Sequence, residues 1–331
     1  METPEAIVAE LIPESPEGEE PGKAGARQAL EARLVQLFTS KLERGSWETC
    51  RRTGARLGLL FFYGVRRRRE IALANINLVF PGVSKVRAQQ IARRSVQNFG
   101  MTFCELMRLR TATDREIQDY VELDGMEHVR AAFALGRGLL LETAHFGNWE
   151  MMGARLAQEF PMTAMSRPSS NSAIQNHMAA IREARKINVI SKYDTARTAL
   201  KVLRSKNALG IFADQWAGYH EPLLPMFGYP TRCVTALARL SLMSGAPIMV
   251  GFGIRRTPWL ADGRIIARGF PAFTVQSAGR DAEAREAAVH EGTLRGLHII
   301  ESIVRQYPEQ WLWLHRRWRA EDAAAARDGE S

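Results

Sequence analysis

The sequence predicts an α/β fold preceded by a helical amino-terminal region. From about residue 135 onward, short apolar runs typical of strands alternate with segments whose apolar residues recur every three or four positions, as in helices. Residues 29–110 show the helical spacing over most of their length. Strand–helix alternation favours a sheet with helices packed on its faces. The sequence therefore predicts helices first and an α/β sheet after them.

The chain divides into four segments. Residues 1–28 hold seven acidic and two basic residues, and residues 320–331 are also acidic. Both ends are predicted to be disordered, because they cannot bury enough apolar area to offset the entropy of ordering. Between them, residues 29–110 form the helical, membrane-associating region, and residues 111–319 form the α/β domain that continues from it.

The helical region contains two strongly periodic stretches with a break between them. The stretches are "ALEARLVQLFTSKLERG" and "VRAQQIARRSVQNFGMTFCELMRL". The segment "NINLVFPGVS" interrupts the pattern, with Pro81 as the stop.

The α/β region begins at about residue 135 and ends with a long amphipathic helix near residues 281–306. Its predicted strands are "GLLLETA", "MTAMS", "NVIS", "ALGIFAD", "PIMVGFGIR" and "RIIARGF". Its predicted helices between those strands are "NHMAAIREARK", "ARTALKVLRSK" and "TALARLSLMSG".

The charge is unevenly distributed. Subtracting the −5 of residues 1–28 and the −3 of residues 321–331 from the overall +9 leaves about +17 on the rest of the chain. A basic body suits nucleic acid, an anionic membrane or an acidic partner protein. The sequence shows no zinc-finger spacing, aromatic RNA-binding signature or recognition helix, so we expect no nucleic-acid partner.

One segment points to an anionic membrane lipid. In "RRTGARLGLLFFYGVRRRR", seven arginines bracket the nine-residue run Leu57–Val65. Nine residues are too few to span a bilayer, which needs about 20. They suffice for a helix lying in the interface with its arginines on lipid phosphates. The alternative is a core helix followed by a solvated basic turn. We predict peripheral or monotopic association.

Neither disulfides nor metals are predicted. The three cysteines, Cys50, Cys104 and Cys233, are scattered without a CxxC pair, and no secretory signal precedes them. The histidines lack the spacing of metal ligands. No Gly-rich phosphate loop is present. We expect reduced thiols, no metal and no cofactor.

A strand-to-helix turn carries the candidate catalytic pair. The run "RGLLLE" reads as a buried strand and "NWEMMGARLAQEF" as a helix, so His145 lies in the turn between them. Asn148 is expected to cap the helix, which puts Glu150 in its first turn. Across such a turn the two side chains can converge. An imidazole base and an orienting carboxylate need this arrangement.

Several sequence blocks occur in a fixed order around this pair. They are "HFGNWE" (145–150), "SRPSSN" (166–171), "IREARK" (181–186), "FADQ" (212–215), "PMFGYP" (225–230), "SGAPIM" (244–249) and "PEQWLWLHRRW" (308–318). This set resembles the bacterial lipid A lauroyl/myristoyl acyltransferase family over residues 55–318. It is also similar to phosphatidylinositol mannoside acyltransferases and, more distantly, to glycerolipid acyltransferases with H-x-x-x-x-D.

The resemblance implies a glycerolipid-acyltransferase-like fold with a mixed central sheet. It implies transfer of an acyl chain from a thioester, usually on acyl carrier protein, to a hydroxyl of an amphiphilic glycolipid. The expected location is the cytoplasmic face of the bacterial inner membrane. The rival acceptors are another phosphoglycolipid, of the phosphatidylinositol mannoside type, or an amino-acid lipid.

The predicted roles are as follows. His145 acts as general base, Glu150 bonds its other ring nitrogen, and Arg182 stabilises the oxyanion or grips a substrate phosphate. Four further residues are candidates for binding substrate: Arg167, Arg185, Asp214 and Asn148. Arg167 could equally form a surface salt bridge, Asp214 could hold a loop, and Asn148 is first a helix cap.

Two functions of other classes compete with acyl transfer. The fold could serve as a non-catalytic peripheral lipid-binding protein, but a pure binder has no need of a base. A metal-dependent hydrolase is the third possibility, and a chelator would distinguish it by abolishing its activity.

Overall fold

The computed structural model describes residues 33, 37–166, 172–193 and 196–328, and of residues 172–177 only the helix they belong to. The acidic segment 1–28 and Arg167 lie outside the described residues. Predictions about them therefore stay predictions.

The amino-terminal region is helical, as predicted. Residues 37–44 are helical, and helices α1 (Trp47–Gly64), α2 (Arg66–Val79) and α3 (Lys85–Leu109) follow. Helix α2 continues through residues 75–79, the first half of the segment expected to interrupt it, and ends just before Pro81. A proline disfavours helical backbone only at the residue before it and beyond, so the break falls later than the composition suggested.

Helix α1 packs closely against α3. A Cβ on Gly54 would collide with the carbonyl group of Gly100, and one on Gly58 would collide with that of Val96. Glycine is therefore required for this backbone approach. Phe61 and Phe62 of α1 are buried in the core. None of the helices in the described ranges is both long and apolar enough to cross a membrane.

The α/β region contains eight further α-helices and nine strands within the described residues. In chain order they are α4 (Asp114–Tyr120), β1 (Val121–Asp124), α5 (Met126–Ala134), β2 (Leu139–Thr143), α6 (Trp149–Leu156), β3 (Met162–Ser166), α7 (Ser172–Ala184), β4 (Ile187–Ser191), α8 (Ala196–Arg204), β5 (Ala208–Phe212), β6 (Leu223–Met226), β7 (Tyr229–Arg232), α9 (Ala236–Ser244), β8 (Ile248–Arg255), β9 (Ile265–Gly269), α10 (Ala282–Gln306), a 3-10 turn (Pro308–Gln310) and α11 (Ala320–Arg327).

Seven strands form one mixed sheet in the order β1-β9-β8-β2-β5-β3-β4. Strands β8, β2, β5, β3 and β4 run parallel, β9 is antiparallel to β8, and β1 runs parallel to β9. The predicted α/β fold with a mixed sheet flanked by helices is confirmed. In this sheet the carboxyl ends of β2 and β5 lie side by side at one edge, where open α/β sheets bind ligands.

The structure differs from the sequence prediction at three strands and one end. Strand β1 has only four residues, too few to show a period. The hairpin β6–β7 pairs Pro225 with Pro230, and prolines indicate a turn more than a strand. The carboxy-terminal tail is helical over Ala320–Arg327, where Asp322 is buried and accepts a hydrogen bond from Trp216 Nε1 at 2.8 Å.

One buried carboxyl group is expected to make the stability of the fold depend on pH. Glu142 on β2 points away from the His145 side of the sheet toward Gly296 of α10, where a Cβ would collide with its carboxyl oxygens. Burial raises its pKa to about 8. The folded state therefore keeps a proton that the unfolded chain releases at ordinary glutamate pKa values. The free energy of unfolding should fall as the pH rises from the ordinary glutamate pKa to about 8, by roughly 1.4 kcal/mol per pH unit.

Replacing Glu142 by glutamine should remove this dependence. At pH 5 the variant and the natural chain should unfold at similar temperatures, and by pH 8 the variant should be the more stable one. Thermal unfolding across this range measures the difference. A difference that stays constant between pH 5 and pH 8 would show that Glu142 ionises at ordinary glutamate pKa values in the folded state as well.

Candidate active site

His145 lies at the carboxyl end of β2, in the turn that leads into α6. Its side chain is 10% exposed. The ring stacks on Phe212 with 4.4 Å between centroids, and the ring of Trp149 meets its edge at 5.2 Å. These contacts fix the plane of the imidazole beside a cavity.

Asp214 orients this imidazole. Parallel pairing of β2 with β5 places Thr143 beside Phe212, so the residues two further along, His145 and Asp214, also meet. His145 Nδ1 and Asp214 Oδ1 are 2.9 Å apart, and the His145 backbone N–H donates to Asp214 Oδ2 at 2.9 Å. The prediction that Glu150 bonds the ring is therefore wrong at Nδ1. The carboxylate there is that of Asp214, which follows the neighbouring strand β5. Asp214, predicted to bind substrate, is turned toward the histidine instead.

The Asp214 carboxylate stays ionised. Burial by itself would raise its pKa, but the charge of His145 and hydrogen bonds from His145 and Trp311 lower the pKa below its usual range. The bond from Trp311 Nε1 to Oδ2 measures 2.9 Å. An ionised Asp214 keeps the proton on Nδ1, and Nε2 is then the basic nitrogen.

Glu150 lines the same cavity as His145 from the first turn of α6. It is half-buried, and one carboxyl oxygen accepts a hydrogen bond from Trp149 Nε1 at 3.1 Å. The Nδ1 of His145 is bonded to Asp214 instead.

The turn that carries His145 is fixed from three sides. Asn98 and Thr102 of α3 donate to the carbonyl oxygen of Gly147 at 3.0 and 2.8 Å. The N–H of Gly147 donates to Gln310 O at 2.9 Å. Gly147 has φ +57° and lies so close to Gly253 of β8 that a Cβ would collide. Both features explain why a glycine stands there.

A buried ion pair continues this framework. Arg255 of β8 and Glu105 of α3 are both fully buried, and two hydrogen bonds of 2.9 and 2.6 Å join them. Glu105 Oε2 also accepts from Asn148 Nδ2 at 2.6 Å, and Asn148 Oδ1 caps α6 at Met151 N at 2.9 Å. The cap prediction is confirmed. The prediction that Asn148 binds substrate is not supported, because the residue is fully buried and both ends of its amide already have hydrogen-bond partners.

The cavity beside His145 has a volume of about 500 Å³. Its walls come from α3, α6, α7 and the sheet strands β2, β3 and β5, and most of its lining is apolar. The polar side chains on it include His145, Glu150, Ser166, Arg182, Lys192, Gln215 and Glu221. Its size and lining suit an apolar ligand with a few oriented polar groups.

The two candidate arginines, Arg182 in α7 and Arg185 just after it, differ in position. Arg182 lines the cavity and donates to Ser166 Oγ at 3.3 Å. Arg185 is outside the cavity lining and pairs with Asp114 at 3.3 Å. The structure therefore places Arg185 away from the cavity and does not support the prediction that it binds substrate. Arg185 lies just beyond the end of this helix at Ala184.

Three residues around His145 were not found from the sequence as parts of the site: Trp311, Glu105 and Arg255. Trp311 lay within a block already recognised, "PEQWLWLHRRW". Glu105 and Arg255 are 150 positions apart, and no local pattern indicates their pairing. Within the described ranges, no cluster of three or more His, Cys, Asp and Glu side chains could hold a metal ion.

Comparison with known proteins gives matches over most of the chain. Residues 46–320 match the family model described as "Bacterial lipid A biosynthesis acyltransferase". The chain is 27% identical to the lipid A biosynthesis lauroyltransferase of Escherichia coli K12 over 274 residues, 81% of this chain and 84% of the relative. It is 24% identical to the palmitoleoyltransferase of the same organism, over 80% and 83%. A phosphatidylinositol mannoside acyltransferase of Mycobacterium tuberculosis is 25% identical over 47% and 51%.

Proposed function

Because this chain belongs to the bacterial lipid A biosynthesis acyltransferase family and is an O-acyltransferase of that type, we propose that it moves a fatty acyl chain from an acyl carrier protein thioester to a hydroxyl of a lipid A precursor or similar glycolipid. The observation that carries this proposal is the His145–Asp214 pair beside a largely apolar cavity. A base next to an apolar cavity is what transfer of a hydrocarbon chain to an alcohol requires.

His145 acts as general base. Its Nε2 removes the proton of the acceptor hydroxyl as the oxygen attacks the thioester carbonyl. Asp214 holds the ring in the required tautomer and stabilises the imidazolium that forms. When the tetrahedral intermediate breaks down, the carbon–sulfur bond cleaves and the imidazolium returns the proton to the leaving thiolate. The products are the ester and the free thiol.

Arg182 and Glu150 complete the proposed site. The Arg182 guanidinium lines the cavity and offers several donors to the oxyanion or to a phosphate of the substrate. Glu150 also lines the cavity, and we propose that it accepts hydrogen bonds from hydroxyl groups of the acceptor. Arg167, which lies outside the described residues, stays a candidate for the acceptor headgroup.

Arg182→Lys should lose most of the activity although the charge is kept, because an ammonium cannot reproduce the planar fork of donors. Steady-state kinetics with the acyl thioester and the glycolipid measure the loss. Arg185→Lys is the matched control, since Arg185 pairs with Asp114 outside the cavity. Equal losses in both variants would contradict the assignment of Arg182.

A lipid A precursor is the acceptor we favour. The lipid A relatives from E. coli are 24–27% identical over about four-fifths of this chain, whereas two phosphatidylinositol mannoside relatives are 25% identical over 47% and 22% identical over 70% of it. Phosphatidylinositol mannosides and amino-acid lipids are therefore the comparison acceptors. A non-catalytic lipid-binding protein is disfavoured, since binding alone gives no reason for a paired histidine and aspartate.

Mass spectrometry of membrane glycolipids, with and without the gene, tests the proposal directly. We expect a lipid A species to lack one acyl chain when the gene is absent. The purified chain should then restore that acyl group to the isolated precursor from acyl carrier protein thioesters, and coenzyme A thioesters test the donor. An unchanged glycolipid profile together with no transfer in vitro would overturn the proposal.

We also propose that the enzyme works as a peripheral protein on the cytoplasmic face of the inner membrane. The surface for this is the exposed face of α1, formed by Arg52, Arg56, Leu57, Leu60 and Tyr63. Leu60 is 70% exposed and Tyr63 63%. Arg66 and Arg67 follow and are also exposed.

This membrane anchor, the exposed face of α1 with Arg66 and Arg67, differs in detail from the sequence prediction. Phe61 and Phe62, expected to enter the lipid, are buried in the protein core. Arg51 and Arg68 are buried as well: Arg51 donates to Tyr120 Oη at 2.6 Å, and Arg68 is 1% exposed. A helix that packs one face in the core leaves only its other face for lipid. The run Leu57–Val65 is therefore part of a core helix and also a candidate interfacial helix.

Replacing Leu60 and Tyr63 by serine should weaken binding to anionic vesicles at every salt concentration, because the apolar contribution is not screened. Replacing Arg56, Arg66 and Arg67 by glutamine should remove most of the salt-sensitive binding, at about 1 kcal/mol per arginine. Vesicle sedimentation measures both effects without the acyl donor. Leu135→Ser, at a 57% exposed position after α5, is the matched control. Equal binding to neutral and anionic vesicles would contradict the electrostatic anchor.

A further inference from the structure

We infer that Gly153 of α6 and Gly210 of β5 set the length of the acyl chain that the cavity accepts, an inference that rests on the proposed acyl transfer. Glycine weakens both the middle of a helix and the middle of a strand, so its presence at these positions requires a reason. Both residues line the cavity beside His145.

Packing within the protein does not explain these two glycines. Neither residue is among the glycines with positive φ. A Cβ on Gly153 would come no closer than 4.0 Å to its nearest neighbour, Ile187 Cδ1, and a Cβ on Gly210 no closer than 3.8 Å, to Thr163 O. Gly147 and Gly253 differ, because a Cβ there would collide with backbone. The space at Gly153 and Gly210 is instead space in the cavity.

The cavity changes from polar to apolar along the sheet. Ser166 and Lys192, at the carboxyl ends of β3 and β4, lie at the same edge of the parallel strands as His145. Met162 and Ile187 are the first residues of those two strands and lie at the other edge. Gly210 is two residues before Phe212 on the same face of β5, about 7 Å further from the edge of the sheet that carries His145.

A linear hydrocarbon fits this gradient. The residues beyond Gly210 and around Gly153 are apolar, including Leu141, Met152, Met162 and Ile187. Sugar and phosphate groups of an acceptor would lose their hydrogen bonds there, which is unfavourable. The donor's acyl chain has no polar group beyond its thioester. With the thioester carbonyl at His145, the chain would run along the sheet past Gly210 toward Gly153.

Side chains added at these positions should shorten the accepted chain. Competition between acyl carrier protein thioesters with saturated chains of ten to sixteen carbons, read by mass spectrometry of the products, measures the preference. Gly153→Leu should lower transfer of the longest chain relative to the shortest by about tenfold or more. Gly153→Ala and Gly210→Ala should shift the preference in the same direction by less. The shortest chains should still be transferred.

Ala131→Leu is the matched control, since it adds a leucine to an exposed position of α5 outside the cavity lining. Thermal unfolding reports whether each variant folds. If Gly153→Leu does not fold, the two alanine variants decide the question. Preferences unchanged from the natural chain, or equal losses at every chain length in a folded variant, would overturn the inference. No transfer by the natural chain itself would instead refute the proposed function.

Discussion

Asp214→Asn is expected to lower the rate of acyl transfer by about 10³–10⁴-fold without unfolding the protein. An asparagine amide can donate to Nδ1 of His145, which puts the ring proton on Nε2. The nitrogen facing the acceptor hydroxyl would then lack its lone pair. The amide also carries no charge to stabilise an imidazolium. Steady-state kinetics on the purified variant measure the loss.

The loss in His145→Ala should be of similar size, and the double variant should lose little more than either single variant, because the two residues act as one unit. Nuclear magnetic resonance provides a separate readout. The Nδ1 proton of His145, hydrogen-bonded to Asp214, should persist in Glu150→Gln and disappear in Asp214→Asn. The opposite pattern would return the orienting role to Glu150. Near-normal activity of His145→Ala would refute the catalytic assignment.

The strand–turn–helix around His145 could be predicted from sequence because its determinants are local. An apolar run, a glycine and an asparagine cap specify a turn with few alternatives, and the structure has β2, Asn148 as cap and α6 as expected. The partner of the histidine could not be predicted in this way. Asp214 meets His145 through the register of two parallel strands 69 positions apart, and register depends on the whole sheet.

The anchor segment shows the same division. Its helix followed from apolar spacing, and which side faces the core did not. The buried side is chosen by the close approach of α1 to α3 at Gly54, Gly58 and Gly100. Glycines in a helix indicate a close contact, but they do not identify the partner. The sequence therefore supported both interpretations of Leu57–Val65, and each describes one face of α1.

Glu105→Leu should destabilise the fold by about 3–5 kcal/mol, since it leaves Arg255 as an unpaired buried charge. Both side chains are fully buried, and two short hydrogen bonds join them. Chemical denaturation measures the change in the free energy of unfolding. Glu286→Gln is the control: Glu286 pairs with Arg239 in a similar geometry, but both side chains are more than 40% exposed. We expect that change to cost less than about 1 kcal/mol.

The double variant Glu105→Leu with Arg255→Met separates stability from catalysis. Apolar residues of similar size can replace a buried ion pair at little cost, so much of the lost stability should return. Activity should not return with it. Asn148 would still lack the Glu105 oxygen that holds its amide, and Asn148 caps the helix directly after the turn of His145. We therefore expect a folded double variant with a lowered kcat. If its activity recovers together with its stability, the ion pair serves the fold alone, and the turn keeps His145 in place through Gly147, Gly253 and Gln310.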